Sequence, residues 1–178
     1  MTTYQAMERL LDGREAFIRE LGPADRENLL TVWAHLSPIS RYYRFLSPKK
    51  ALTESDLDYF TNIDFKSHVA LIVFVEENGE MSPVATGRYI VTDGGLGKAA
   101  EIAFVVDDPY QGMGIGSLLL AHLTSLARQR GIESFSAYVL AENWRMIEVF
   151  EHSGLPMSRY TEDPGLLKIN LSLKEAVS

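Results

Sequence analysis

The amino-acid sequence predicts an α/β fold of the α+β kind, a mixed and mostly antiparallel sheet flanked by helices. Three observations carry the prediction. Alternating apolar runs separated by turn signals at Asn78-Gly79 and Asp93-Gly94-Gly95 describe an antiparallel meander. Two segments with apolar residues at helical spacing follow, each leading to a further strand pattern. The meander joins the first of them through a glycine-rich turn, Gly112 to Gly116. A chain of 178 residues, 46% hydrophobic and 23% charged, buries enough for one ordinary core, so residues 1–178 are expected to form a single domain.

Each element has its own signal. REAFIREL is a short strand pattern that Gly22-Pro23 breaks. The helix that follows carries Leu29, Val32, Trp33 and Leu36 at i, i+3, i+4 and i+7, and Ser37-Pro38 ends it. SRYYRFL is a second helical piece, stopped at Ser47-Pro48. A third begins at Thr53, whose hydroxyl can cap the helix together with Asp56 three residues on, so helices cover residues 24 to about 62. SHVALIVFVEE, PVATGRYIVT and AAEIAFVV are the meander strands. The helix after the glycines has Ile115, Leu118, Leu119, Leu123 and Leu126 on one face, with stop signals at Arg128, Arg130 and Gly131. SFSAYVL is the next strand, NWRMIEVFEHSGL a helix closing at Gly154, and PMSRYT and LLKINLSL a final pair around Asp163-Pro164-Gly165. No internal repeat, linker or low-complexity segment interrupts the series.

Composition excludes several classes. The absence of cysteine rules out disulfides, thiolate metal sites and a cysteine nucleophile. His35, His68, His122 and His152 are scattered without ligand spacing, so no metal is expected. The N-terminus is charged throughout and unlike a signal peptide, and the longest apolar run, VALIVFV, is too short to span a bilayer. A cytoplasmic protein without a membrane partner is expected. A net charge of -7 argues against a nucleic-acid surface and fits a basic partner or substrate, although an acidic balance also serves solubility alone.

The stretch Glu101 to Gly116, EIAFVVDDPYQGMGIG, is the most informative. An alternating run stops at Asp107-Asp108-Pro109, and the glycine turn opens directly into a helix. Gly112, Gly114 and Gly116 let the backbone turn sharply and bring its N–H groups near a ligand, while the helix macrodipole adds partial positive charge, an arrangement suited to phosphate. A P-loop needs Lys before the hydroxyl residue, and Gly116 stands before Ser117 instead. The dinucleotide pattern G-x-G-x-x-G fails at its sixth position, also Ser117. A plain tight connection between strand and helix is the bland alternative. Gln111-Gly112-Met113-Gly114-Ile115-Gly116 resembles the Q/R-x-x-G-x-G/A signature of the GCN5-related N-acetyltransferases (GNAT), in which this loop holds the pyrophosphate of coenzyme A. Asn143 opening the last helix, with Gly154 and Leu155 closing it, resembles the family's second motif, and the two together cover about half of the chain. Ser40-Arg41-Tyr42-Tyr43-Arg44-Phe45, the capped helix, Ile63-Asp64 and an apolar strand are similar to the catalytic domain of the bacterial Pat-type protein lysine acetyltransferases. In those enzymes an acyl-CoA synthetase-like or cyclic-nucleotide-binding region is often attached. Neither fits in this length, so a stand-alone catalytic domain is expected.

The resemblance implies a GNAT fold whose sheet splays between the fourth and fifth strands, acetyl-CoA as cosubstrate and an amine acceptor. It implies that Phe104, Val105 and Val106 offer backbone groups to the pantetheine arm and an N–H to the oxyanion, and that Gln111, Gly112, Met113, Gly114, Ile115, Gly116 and Ser117 form the pyrophosphate loop. An arginine is usual where Met113 stands, so one charge-assisted phosphate contact is missing unless only the backbone there matters. An amine with a pKa near 10.4 needs a base, and Glu101 in Ala100-Glu101-Ile102-Ala103-Phe104-Val105 matches the Pat-type catalytic glutamate. An apolar strand would desolvate that carboxylate and raise its pKa; the alternative is a strand-end glutamate facing water. Asn143 either bonds the pantetheine arm or caps its helix. Phe150 stands where many relatives have a tyrosine acid, and Tyr110 and Tyr138 are better read as packing residues. Arg41 to Arg44 either line an acceptor groove or form an amphipathic helix with rings on the sheet and arginines in water. Asp107-Asp108-Pro109 reads as turn chemistry. The expected reaction is acetyl transfer from acetyl-CoA to a primary amine, a protein lysine first and a small amine second. A non-catalytic acyl-CoA-binding module is the rival of a different class. Monomer and homodimer both stay open.

Overall fold

The structure, a computed structural model, describes residues 3–93 and 98–175, so the turn expected at Gly94-Gly95 lies outside the described residues. Its strands are β1 (Gln5–Arg9), β2 (Glu15–Glu20), β3 (His68–Glu77), β4 (Glu80–Val91), β5 (Ala99–Val106), β6 (Ser134–Leu140), β7 (Met157–Asp163) and β8 (Leu166–Ser172). Its helices are α1 (Arg26–His35), α2 (Pro38–Phe45), α3 (Glu54–Thr61), α4 (Ile115–Gln129) and α5 (Trp144–Glu151). One eight-stranded sheet runs in the order β1-β2-β3-β4-β5-β6-β8-β7. Every neighbouring pair is antiparallel except β5 and β6.

Two cores cover the two faces of this sheet. Val69, Leu71, Val73 and Val75 of β3 join the cluster under α4 and α5, whereas Ala70, Ile72 and Phe74 join Leu29 of α1 and Leu57 of α3 on the other side. That two-sided burial explains the unbroken apolar run of β3, because alternate residues of a strand serve opposite faces. The β3–β4 hairpin turns at Asn78 and Gly79, both at positive φ (52° and 82°), the backbone that two-residue hairpins require. α3 starts with the expected capping box: Thr53 Oγ1 accepts from Asp56 N–H, and Asp56 Oδ2 accepts from Thr53 N–H. Among the described residues no helix is long and apolar enough to cross a membrane.

β1 has no counterpart in the sequence reading. Its register runs Gln5↔Arg19 to Arg9↔Glu15 against β2, and only Ala6 and Glu8 are half-buried. Glu8 accepts from His122 Nε2 (2.8 Å), and His122 Nδ1 lies 2.5 Å from Tyr4 Oη, so polar contacts tie this edge to α4. With β1 added, the splayed pair expected as the fourth and fifth strands becomes β5 and β6.

Candidate active site

The sheet forks where β5 and β6 part. Register pairs join Ala99, Ala100 and Glu101 to Ser134, Phe135 and Ser136, and no pairing follows, although β5 continues to Val106 and β6 to Leu140. β5 stays paired with β4 from Ala100 to Val106, so it is held straight on one edge while its other edge faces the gap. Backbone groups of residues 102–106 on that edge have no β6 partner; Val106 O accepts from the Gln111 side chain, and the others must be met by water or a ligand. A cleft of about 580 Å³ fills the fork and is lined by β5, the glycine loop, β6, α2 and α5. At about 3.3 Å per residue, Glu101 lies roughly 16 Å along β5 from Val106, so the two sit at opposite ends of a slot wide enough for an extended chain.

The mouth of the slot is the loop before α4. Gly114 is the N-cap of α4 with φ +89°, a left-handed backbone that glycine alone adopts without strain. Gly116 serves a different need: a Cβ there would lie 3.3 Å from Val149 Cγ2, so its missing side chain lets α5 approach α4. The loop is pinned from two sides. Leu11 N–H, in the β1–β2 turn, donates to Met113 O (3.1 Å), and Gln111 Nε2 donates to Val106 O (3.0 Å) and Ser40 Oγ (3.2 Å). The Met113 side chain leaves the cleft, packing on the core with its Sδ 3.1 Å from Arg14 Nη2. Gly112, Ile115 and Ser117 line the slot beside Gly114 and Gly116.

At the closed end the strand's period of two decides which way each side chain points. Ala100, Ile102 and Phe104 are buried, whereas Glu101, Ala103 and Val105 share the face over which α2 packs. Glu101 is exposed and lines the cleft. The strand does not bury this carboxylate as expected, because alternation takes it out of the apolar layer. Arg44 of α2 lines the same end. Burial pulls its guanidinium down to about 10, and the negative charge of Glu101 pulls the other way. The arginines of α2 are not in water, as the amphipathic reading held. Arg41 lies 4.3 Å over the Trp33 ring and donates to Trp33 O, and Arg44 lies 4.8 Å over Phe45 and 5.8 Å over Phe60. Tyr43 and Arg44 face the cleft, while Tyr42 is exposed.

The remaining candidates divide cleanly. Asn143 lines the slot and also accepts from Met146 N–H through Oδ1 (3.4 Å), which is its capping role. Phe150 is buried with its ring 6.0 Å from Phe104, leaving no hydroxyl at that position. Tyr110 is buried, bonded to Glu77 and at the cleft wall beside the loop, and Tyr138 lines the β6 wall with Lys168 5.7 Å above its ring. Asp108 does more than turn the chain: it accepts from Ser37 N–H and from the hydroxyls of Ser37 and Ser40, fixing the start of α2. Among the described residues no group of three or more metal-ligating side chains comes together.

Asp107 is the most perturbed carboxyl here. Its Oδ2 lies 3.1 Å from His35 Nδ1, and its Oδ1 is buried without a partner. Burial pushes the carboxyl up to about 6, with His35 opposing and Asp108 and Glu77 adding to the rise. The folded state then holds a proton that the unfolded chain, with an ordinary value near 3.9, has released. Stability contributed this way is lost as pH rises from about 4 to about 6. Asp107→Asn should remove that loss, gaining roughly 2–3 kcal/mol on the parent between pH 4 and pH 7 in urea unfolding.

A sheet forked at its parallel pair, with a glycine loop at the mouth of the gap, is the arrangement that the resemblance to the acetyltransferases implied. The family model for the acetyltransferase (GNAT) family matches residues 37–155. An acetyltransferase of Pseudomonas aeruginosa is 34% identical over 142 residues, covering 79% of this chain and 74% of its own length. Acetyltransferase Pat of Mycolicibacterium smegmatis is 34% identical over 155 residues, 87% of this chain, and the chain spans only 45% of that relative's length. The crystal structure of the GNAT domain of S. lividans PAT superposes with a TM-score of 0.84 at 34% identity, covering 94% of this chain and 96% of that one. The chain belongs to the GNAT acetyltransferase family.

Proposed function

We propose that the chain transfers the acetyl group of acetyl-CoA to a lysine side chain of a protein, by direct attack, with Glu101 as the general base. The observation that carries this reading is Glu101 at the base of the fork, exposed to the cleft and opposite the loop. The pantetheine arm lies along the free edge of β5, where Phe104, Val105 and Val106 can bond its amides, and the pyrophosphate sits on the loop N–H groups. Glu101 takes a proton from the ammonium, directly or through a water, and the neutral amine attacks the thioester carbon. The carbonyl oxygen becomes an oxyanion, held by a β5 backbone N–H. The C–S bond then breaks as the adduct nitrogen gives up its second proton to water, and coenzyme A leaves as a thiolate of ordinary pKa near 8.5, which departs without the acid that Phe150 cannot supply.

A lysine-bearing protein is the favoured acceptor because the chain carries a net charge of -7 and resembles the Pat relatives. Attraction between opposite charges speeds encounter and is screened by salt, with a Debye length of about 8 Å at physiological ionic strength. Acetylation of a folded, lysine-rich protein should therefore show a kcat/KM that falls as salt rises and exceeds that for free lysine. Faster turnover of spermidine or an aminoglycoside, with no acetyl-lysine found by mass spectrometry on any protein offered, would replace the protein acceptor by a small amine. Binding of acetyl-CoA without turnover of any amine would favour the acyl-CoA-binding module.

A further inference from the structure

We propose that Arg145, in the first turn of α5, binds a phosphate of coenzyme A and supplies the charge that the glycine loop does not carry. The inference rests on the acyl-CoA reading of the cleft. The loop brings no charged side chain to the slot, since the Met113 side chain turns away to the core and to Arg14. Arg14 itself is engaged: its Nε lies 2.7 Å from Asp12 Oδ2, and its guanidinium lies 4.9 Å over the Tyr110 ring.

The cleft lining is otherwise poor in positive charge. Asp108, Glu142 and Glu148 line it beside the loop and α5, and of the two lining arginines Arg44 sits at the Glu101 end. Arg145 is thus the arginine at the loop end, where an anion would otherwise meet three carboxylates. It forms no ion pair among the described residues. Although the side chain is exposed, two contacts orient it. Nη1 donates to Gln111 Oε1 (3.2 Å), and the guanidinium lies 5.4 Å over the exposed Trp144 ring. Gln111 cannot easily rotate away, because its amide nitrogen is bonded to Val106 O and Ser40 Oγ. One N–H is spent on Gln111, and the rest of the planar fork remains to meet phosphate oxygens, the geometry for which guanidinium is best suited.

Calorimetric titration of the full chain with coenzyme A and with 3′-dephospho-coenzyme A tests the assignment. Arg145→Ala should weaken coenzyme A about tenfold or more, as expected for loss of a hydrogen bond between charged groups, and should flatten the dependence of affinity on salt. Arg145→Lys should recover part of the affinity, and far-ultraviolet circular dichroism should show both variants folded. A loss shared by both ligands supports a contact to the pyrophosphate, and a loss confined to coenzyme A supports a contact to the 3′-phosphate. Folded Arg145→Ala binding both ligands as tightly as the parent would overturn the proposal while leaving the acyl-CoA reading in place. A parent chain that binds neither ligand would overturn both.

Discussion

Glu101→Gln is expected to lower acetyl-transfer turnover by roughly two to four powers of ten while leaving acetyl-CoA affinity nearly unchanged. The substitution keeps the size and hydrogen-bonding shape of the side chain and removes only its ability to accept a proton. Glu101 lies at the far end of the slot from the loop, so the phosphate contacts are untouched. The side chain is exposed and outside both cores, so the fold should not suffer. Single-turnover rates across pH, set beside calorimetric affinities, separate the two roles. Wild-type turnover by the variant at every pH would remove Glu101 from the chemistry.

Gly114→Val should abolish measurable acetyl-CoA binding, or weaken it by more than tenfold. Two costs arise at one residue. A β-branched side chain at φ +89° is strained wherever it sits, and a Cβ there would lie 3.3 Å from Leu11 Cγ, in the turn that bonds the loop through Met113 O. Relief of either strain moves the N–H groups at the start of α4 away from the phosphate. The strained residue should also cost about 1–3 kcal/mol of stability, so urea unfolding must accompany the titration. Tight binding by a folded Gly114→Val chain would show that the loop is only a connection.

Much of this architecture is legible from local pattern, for reasons that also explain what escapes it. α4 is readable because Ile115, Leu119, Leu123 and Leu126 are all buried at helical spacing. β3 is readable as a buried run, and Asn78-Gly79 as its turn. β1 is not, because QAMER carries no apolar alternation; its order comes from β2 and from the Glu8–His122–Tyr4 contacts. Glu101 is identifiable by its strand, but its exposure depends on which parity of β5 faces the core. Arg41 and Arg44 defeat the amphipathic reading because their partners, Trp33 and Phe60, lie on other helices. Arg145 escapes for the same reason: only the fold brings the start of α5 to Gln111.

The fork has a consequence for how the molecule responds to its own ligand. Strands β1–β5 and β6–β8 are joined by three register pairs and by the Lys98 carbonyl that accepts from Glu133 and Ser134 N–H, so the thinnest seam of the sheet runs beside the cleft proposed for acyl-CoA. A pantetheine chain bonded to the free edge of β5 behaves as a missing strand, stitching the two blocks together. Occupancy then stiffens the sheet as well as filling the cleft, and the free energy of binding is returned as resistance to unfolding by mass action. The chain carrying acyl-CoA is in that sense a more completely hydrogen-bonded protein than the chain without it.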